Sequence, residues 1–176
     1  PHLIVMPNRA TTVKTRYVAQ GQQLLRADRE EIAPVTGDDE ARLAQLIDNE
    51  SPHADAIVIS DYAKGMISKT LAAHAIKAAS IAGKPVIADT KAADLSGFRG
   101  ARLLTPNARE LSAAVGAATT SDVEVATAAA RLMGGLDLGG LVVTRSERGM
   151  TVLERGGEAV HLAAEAREVF DVSGAG

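Results

Sequence analysis

The chain has 176 residues, 46% of them hydrophobic and 23% charged, which is the composition of a globular domain and excludes wholesale disorder. Its 19 Lys and Arg against 22 Asp and Glu give a net charge of −3, which argues against a nucleic-acid partner, and no apolar run approaches the roughly 18 residues of a membrane span. Cysteine is absent, so disulfides and thiolate chemistry are excluded, and we expect a cytoplasmic protein.

The first predicted element is a β-hairpin over residues 12–28. Polar and apolar side chains alternate along its first half, Gly21 marks the turn, and residues 22–28 return as a second extended segment. Lys14 and Arg16 share one face of the first strand, and basic groups so placed suit a phosphorylated substrate. A solvated sheet face is the alternative, and the pattern alone favours it.

From residue 38 onward, helical and strand-like patterns alternate along the chain. The predicted helices cover residues 38–49, 68–81, 107–116 and 121–134, and the predicted strands cover residues 56–59, 85–89, 102–105 and 141–144. After Gly149 the pattern is β again. Short strands separated by helices predict a parallel sheet that is covered by helices.

Ligands of open α/β sheets bind at the carboxyl ends of the strands. Those ends are polar here, and they comprise residues 60–65, 89–91, 105–107 and 144–147. Because the topology brings these segments to one edge, their polarity indicates a ligand site.

Two segments at these ends allow a functional and a structural interpretation. Asn107 and Glu110 have the oxygens that Mg²⁺ prefers, but their spacing is also that of a helix cap, which the spacing alone favours. The segment from Thr144 to Gly149 suits either a nucleotide contact or a charged surface turn. A third segment, Ser173 to Gly176, is a Gly-rich turn whose amides could approach an anion, although an ordinary turn is the simpler interpretation.

Taken together, these segments resemble the ribokinase-like (PfkB) sugar kinases. Residues 171–176 match the first six positions of that family's DTxGAGD-type signature, and Asn107 to Glu110 match its N-x-x-E motif. Within the family the chain most resembles the heptose 7-phosphate kinases, and the segments that carry this likeness are residues 12–28, 60–65, 103–107 and 143–150. Thr90 stands where those kinases more often have proline, so we expect a different local turn.

The resemblance implies an α/β, ribokinase-like fold: a mostly parallel sheet flanked by helices, with a small β lid. It implies a lid hairpin and its connection in residues 1–30 and an incomplete α/β core in residues 31–176. A strand-like run begins almost at once and the signature stops at Gly176, so we expect an internal piece of a longer protein. The catalytic Asp expected directly after Gly176 is absent, and we expect the fragment alone to be nearly inactive.

The implied reaction is transfer of the ATP γ-phosphoryl group to the anomeric hydroxyl of D-glycero-β-D-manno-heptose 7-phosphate, in heptose precursor synthesis for lipopolysaccharide. ATP and Mg²⁺ are the implied cofactors, a sugar phosphate is the partner, and a homodimer is expected for the full-length protein. Two alternatives stay open: another PfkB-type kinase that acts on a ketohexose or keto-deoxy sugar acid, or a non-catalytic nucleotide- or sugar-binding module.

The resemblance also assigns roles to individual residues. The amides of Gly174, Ala175 and Gly176 would form an anion hole, and Asn107 and Glu110 would hold Mg²⁺ through water. The nucleotide would be lined by Thr144, Glu147 and Gly149. The sugar substrate and its phosphates would be contacted by Lys14, Arg16, Asp61, Lys64 and Lys91. The hairpin with Lys14 and Arg16 would close over the sugar as a lid.

Overall fold

The structure, a computed structural model, describes residues 2–7 and 9–165. Its first two strands, β1 (Val13–Ala19) and β2 (Gln22–Arg29), pair antiparallel as a separate two-stranded sheet. Lys14 lies opposite Asp28 in this hairpin, and every residue of both strands is exposed. The segment predicted as a hairpin is therefore not part of the large sheet.

A six-stranded sheet forms the centre of the molecule. Its strands are β3 (Ile57–Asp61), β4 (Val86–Thr90), β5 (Leu103–Leu104), β6 (Gly140–Thr144), β7 (Met150–Glu154) and β8 (Val160–Leu162). They lie side by side in chain order. The first four strands are parallel, whereas β7 pairs antiparallel with both β6 and β8. The alternation of strands and helices correctly predicted the parallel half.

Four helices connect and cover these strands: α1 (Gly37–Glu50), α2 (Lys69–Ile81), α3 (Ala108–Val115) and α4 (Asp122–Leu136). Ser68 caps α2, and full capping boxes begin α3 and α4. The predicted end of α4 at Gly134 is two residues short. Met133 and Leu136 are both buried, so packing of the last turn outweighs the poor helix propensity of Gly134 and Gly135.

The hydrophobic core lies between the helices and the large sheet. Alanines face it from α2 and α4, and their small side chains let these helices approach the strands closely. The fully buried larger side chains include Leu104, Leu111, Val125, Leu141 and Val143. This core holds the parallel strands in register, so their polar carboxyl ends are presented together at one edge. Among the described residues, no helix is both long and apolar enough to cross a bilayer.

Candidate functional site

The ends of β3 and β4 are joined through a buried carboxylate. Asp61, the last residue of β3, is 4% exposed. Its Oδ2 accepts a 2.7 Å hydrogen bond from the hydroxyl of Thr90, and its Oδ1 accepts one of 2.8 Å from the backbone N–H of Ala63. The backbone N–H of Lys91 donates to the Asp61 carbonyl at 2.9 Å. These contacts hold the Asp61 carboxylate in one orientation at the strand ends.

Thr90 belongs to this group of strand-end residues, and the sequence analysis assigned it no role. The sequence showed only that Thr90 stands where the heptose 7-phosphate kinases more often have proline. In the structure it ends β4, and its hydroxyl also accepts a hydrogen bond of 3.0 Å from the backbone N–H of Ala92. The hydroxyl therefore links the predicted residue Asp61 to the turn that carries Lys91.

Lys91 extends from the end of β4 to the first turn of α3. Its ammonium lies 2.9 Å from Glu110 Oε1 and 3.3 Å from Asp89 Oδ1. Partial burial alone would lower the pKa of Lys91. The hydrogen bond and charge of Glu110, with a contribution from Asp89, outweigh that effect and raise the pKa above its usual range. Lys91 is therefore a firmly protonated cation beside the Asn107 and Glu110 motif.

Asn107 and Glu110 form the helix cap that their spacing predicted. The Asn107 side chain accepts the Glu110 N–H at 2.9 Å, and Glu110 Oε2 accepts the Asn107 N–H at 2.8 Å. The other carboxylate oxygen contacts Lys91, so each of these oxygens already has a protein partner. Oxygen atoms of this kind suit Mg²⁺. Because they already accept hydrogen bonds in the helix cap, they fit an ion that is bound through water molecules and leaves the cap intact. Residues 2–7 and 9–165 contain no cluster of three His, Asp or Glu side chains with metal-site geometry.

The segment after β6 lies beside this helix start. Asn107 and Thr144 form a parallel bridge, and the Thr144 N–H donates to the Pro106 carbonyl at 3.0 Å. Glu147 is exposed in the short helical turn that follows. Gly149 has φ +77°, and a Cβ there would overlap the carbonyl oxygen of Leu162. The structure thus gives Gly149 a packing role that is independent of any nucleotide.

Residues 146–148 are exposed, as in a charged surface turn, but Arg145 is not. It is 8% exposed, and its guanidinium lies 2.6 Å from the Asp122 carboxylate and donates to the Thr151 hydroxyl at 3.2 Å. The hydrogen bond that Arg145 donates to Asp122 is the main reason why the pKa of Asp122 lies below its usual range. Arg145 therefore ties the start of the segment to α4 and β7. Arg145 directly follows a buried strand, but no local pattern in the sequence identifies its partners Asp122 and Thr151.

Lys14 and Arg16 lie on the hairpin and not at the strand ends. Lys14 Nζ is 3.0 Å from Asp28 Oδ2, and Arg26 Nε is 3.1 Å from the other oxygen of that carboxylate. The Lys14 hydrogen bond is the largest cause of the lowered pKa of Asp28. Arg16 lies directly opposite Arg26 in the strand pairing. One face of the hairpin therefore presents three cations against one carboxylate.

The remaining predicted residues have separate outcomes. Lys64, in the loop after β3, pairs with Glu30 at 2.6 Å, so its ammonium contacts the chain just after the hairpin. Gly174, Ala175 and Gly176 lie outside the described residues.

Comparison with known families gives a match over nearly the whole chain. The sequence model of the family described as pfkB family carbohydrate kinase matches residues 2–176. A protein of Paramagnetospirillum magneticum named "Bifunctional protein HldE" is 47% identical over 176 residues, which is 100% of this chain and 36% of that protein. A protein of the same name in Rhodospirillum rubrum is 45% identical to this chain. The match covers 98% of this chain and 35% of that protein. The chain thus spans about a third of the length of these curated relatives.

Solved structures show the same fold at lower sequence identity. Phosphofructokinase-2 from Escherichia coli, in complex with potassium, matches with a TM-score of 0.70 at 22% identity, over 89% of this chain and 50% of that one. Arabidopsis thaliana ribokinase, complexed with ribose and ATP, matches with a TM-score of 0.63 at 18% identity, over 90% of this chain and 49% of that one. The ribokinase-like fold predicted from the sequence is confirmed, and the chain covers about half of it.

Proposed function

Because the chain belongs to the pfkB family of carbohydrate kinases, we propose that it forms part of an ATP-dependent kinase of D-glycero-β-D-manno-heptose 7-phosphate. The acceptor is the anomeric hydroxyl, and the product serves heptose precursor synthesis for lipopolysaccharide. The observation that supports this most is the joining of Asp61, Lys91 and Glu110 at the ends of neighbouring parallel strands.

Phosphoryl transfer needs alignment of the reactants and neutralisation of phosphate charge more than covalent help from the protein. Asn107 and Glu110 would hold Mg²⁺ through water, and the ion when bound would offset the charge of the nucleotide phosphates. Lys91 supplies a fixed positive charge next to them. Thr144, Glu147 and Gly149 would line the nucleotide, and the chain turns there against the start of α3. Gly174, Ala175 and Gly176 remain the predicted anion hole.

The acceptor side of the proposal rests on the hairpin. Lys14 and Arg16 share a face with Arg26, and together these cations exceed the single Asp28 carboxylate that pairs with two of them. A dianionic sugar phosphate is the ligand that this imbalance suits, because each phosphate oxygen accepts charge-assisted hydrogen bonds. As a lid the hairpin would exclude water from the transferring group. Asp61 would contact the acceptor from the end of β3.

A homodimer is part of the proposal for the full-length protein. The supporting observation is the hairpin face opposite Lys14, on which Val13, Tyr17 and Leu25 are each about half exposed (46%, 53% and 59%). An exposed two-stranded sheet is marginally stable alone, so an apolar partner surface would stabilise it. Light scattering on the full-length protein and its Tyr17→Lys variant measures this, since the variant should shift the mass towards the monomer.

The experiment that tests the function uses the purified full-length protein with Mg²⁺-ATP. We expect formation of heptose 1,7-bisphosphate, which phosphorus NMR distinguishes from the 7-phosphate by a second phosphate signal on the anomeric carbon. Fructose 6-phosphate, fructose and a keto-deoxy sugar acid are the comparison acceptors. Faster turnover of one of these would replace the heptose assignment with another sugar. ATP binding without transfer to any acceptor would indicate a binding module.

A further inference from the structure

Two chain segments connect the hairpin to the core, and Arg9 joins both to the loop after β3. The half-buried Arg9 precedes β1, and its guanidinium donates to the Ala33 carbonyl at 2.6 Å and to the Lys64 carbonyl at 2.5 Å. A longer contact of 3.5 Å reaches the Glu31 carbonyl. One side chain thus holds together the segment before β1, the segment after β2 and the loop of residues 61–65.

The segment after β2 makes further contacts with the same loop. Lys64 Nζ donates to Glu30 Oε1 at 2.6 Å, and the Val35 N–H donates to the Gly65 carbonyl at 2.7 Å. At Gly65, which has φ +84°, an added Cβ would overlap the Ala33 carbonyl oxygen. The two backbones are therefore in direct contact, so the base of the hairpin and the loop cannot shift independently.

The other end of this loop is the buried carboxylate at the strand ends. Asp61 is held by Thr90 and lies three residues before Lys64. A continuous series of contacts therefore runs from the base of the hairpin to the site. Glu30 supplies the adaptable part of this series, because its Oε2 is buried and accepts no hydrogen bond from the part of the chain that the structure describes. A buried acceptor without a partner favours rearrangement to a state that satisfies it.

We infer that Arg9, Glu30 and Lys64 form a hinge clamp that couples the orientation of the hairpin to the position of the Asp61 loop. The inference rests on the proposed function, in which the hairpin closes over a sugar. It makes Lys64 a positioning residue whose ammonium is held by Glu30, in place of the direct phosphate contact expected from the sequence. Arg9 is the second positioning residue, since it bonds backbone carbonyls of both moving segments.

A distance measurement tests the clamp without reference to activity. Spin labels at Gln22→Cys in the hairpin and Lys77→Cys in α2 report the hairpin orientation in a cysteine-free background of the full-length protein. We expect one narrow distance distribution for the parent, and broad ones for Arg9→Ala and Lys64→Glu. The reversed pair Glu30→Lys with Lys64→Glu should narrow the distribution again. Lys69→Glu, which breaks the exposed Lys69–Asp94 pair, is the matched control and should change nothing.

Kinetics separate a positioning role from ligand binding. Loss of the pair in Lys64→Glu should lower kcat/KM for the sugar phosphate by about tenfold, and the reversed pair should recover most of it. A ligand-binding Lys64 would give a different result, because the reversed pair places a carboxylate where a cation is needed. No recovery, or a parent-like distance distribution in Arg9→Ala and Lys64→Glu, would overturn the clamp. A parent protein that phosphorylates no sugar would overturn the proposed function, while the distances still decide the clamp.

Discussion

The ammonium of Lys91 lies 2.9 Å from Glu110 Oε1, and this ion pair joins the end of β4 to the first turn of α3. The other oxygen of the same carboxylate accepts the Asn107 N–H and completes the capping box of α3. Glu110 therefore both caps α3 and pairs with Lys91. The equivalent Glu124 of α4 accepts hydrogen bonds from Thr120 and Ser121 and acts as a cap. This difference provides an internal control for the function of Glu110.

Glu110→Gln should lower Mg²⁺-dependent turnover of the full-length protein strongly and leave the fold intact. Glutamine serves as well at the third helical position of a capping box, but it cannot neutralise Lys91 or orient metal-bound water. We expect a loss of about 10- to 100-fold, the usual cost of disturbing groups around a metal. Glu124→Gln, the same change in the other capping box, should keep parent turnover. Equal activities of the two variants at saturating Mg²⁺-ATP would return Glu110 to a purely structural role.

The parts of the fold that the sequence predicted well are those with local signals. The capping boxes at Asn107 and Ser121 depend on residues three positions apart, and both are present in the structure. The alternation of short apolar runs with helical patterns correctly predicted four parallel strands. The grouping of the strand ends followed from the topology alone, and in the structure the Lys91 N–H bonds the Asp61 carbonyl while the Lys91 ammonium contacts Glu110.

The parts that were missed depend on contacts between distant residues. Arg9 bonds Lys64 across 55 positions, and no local pattern indicates such a partner. In the sequence Arg145 resembles a surface charge, because Glu147 and Arg148 follow it closely in a charged run. It is buried because Asp122 and Thr151, on two other elements, satisfy its guanidinium. Long-range polar contacts of this kind require the packed structure to be known.

Gly149→Ala should destabilise the protein much more than Gly156→Ala. Both glycines have nearly the same φ, +77° and +78°, but a Cβ at Gly149 would overlap the Leu162 carbonyl, whereas nothing lies within 4 Å at Gly156. We expect a loss of about 1 kcal/mol for Gly156→Ala from backbone strain and about 2–5 kcal/mol for Gly149→Ala from strain and overlap together. Denaturant unfolding measures both. Similar losses of unfolding free energy for the two variants would show that β8 shifts to accommodate the added methyl group without measurable destabilisation.

Glu124 should make stability depend on pH between about 5 and 2. Hydrogen bonds, first from the Thr120 hydroxyl and then from the Ser121 and Thr120 amides, lower the pKa of Glu124 from 4.5 to about 2. The ionised form is favoured in the folded state, so its stabilisation is complete above the unfolded value and is lost as the pH falls towards 2.

The difference in unfolding free energy between the parent and Glu124→Gln should therefore be largest near neutral pH and shrink below pH 4.5. Thermal unfolding over a pH series measures it. Thr120→Val removes the first of these donors, and it should reduce the slope without abolishing it. A difference that stays constant from neutral pH to pH 2 would contradict the assigned role of the charge.

The hairpin face that carries Lys14 and Arg16 gives the most specific prediction about the substrate, namely that its phosphate binds there. Side chains two residues apart on a strand lie on one face, and the pairing of β1 with β2 adds Arg26 and Asp28 to it. Asp28 is within 3.1 Å of both Lys14 and Arg26 and neutralises only part of their charge. Arg16, opposite Arg26, adds a further cation to this face.

Lys14→Ala combined with Arg16→Ala should therefore raise the KM for heptose 7-phosphate in the full-length protein by about 100- to 10,000-fold. The physical reason is the loss of two charge-assisted hydrogen bonds to the phosphate, each worth about 1.5–3 kcal/mol. The KM for ATP should change much less, because the residues proposed for the nucleotide lie at the strand ends and not on the hairpin. Lys69→Ala with Arg99→Ala, which removes two exposed cations elsewhere, is the matched control and should leave both constants unchanged. Initial rates with both substrates varied decide the matter. An unchanged sugar KM in the hairpin variant would mean that this face binds no phosphate, and Lys91 would then be the cation to test next.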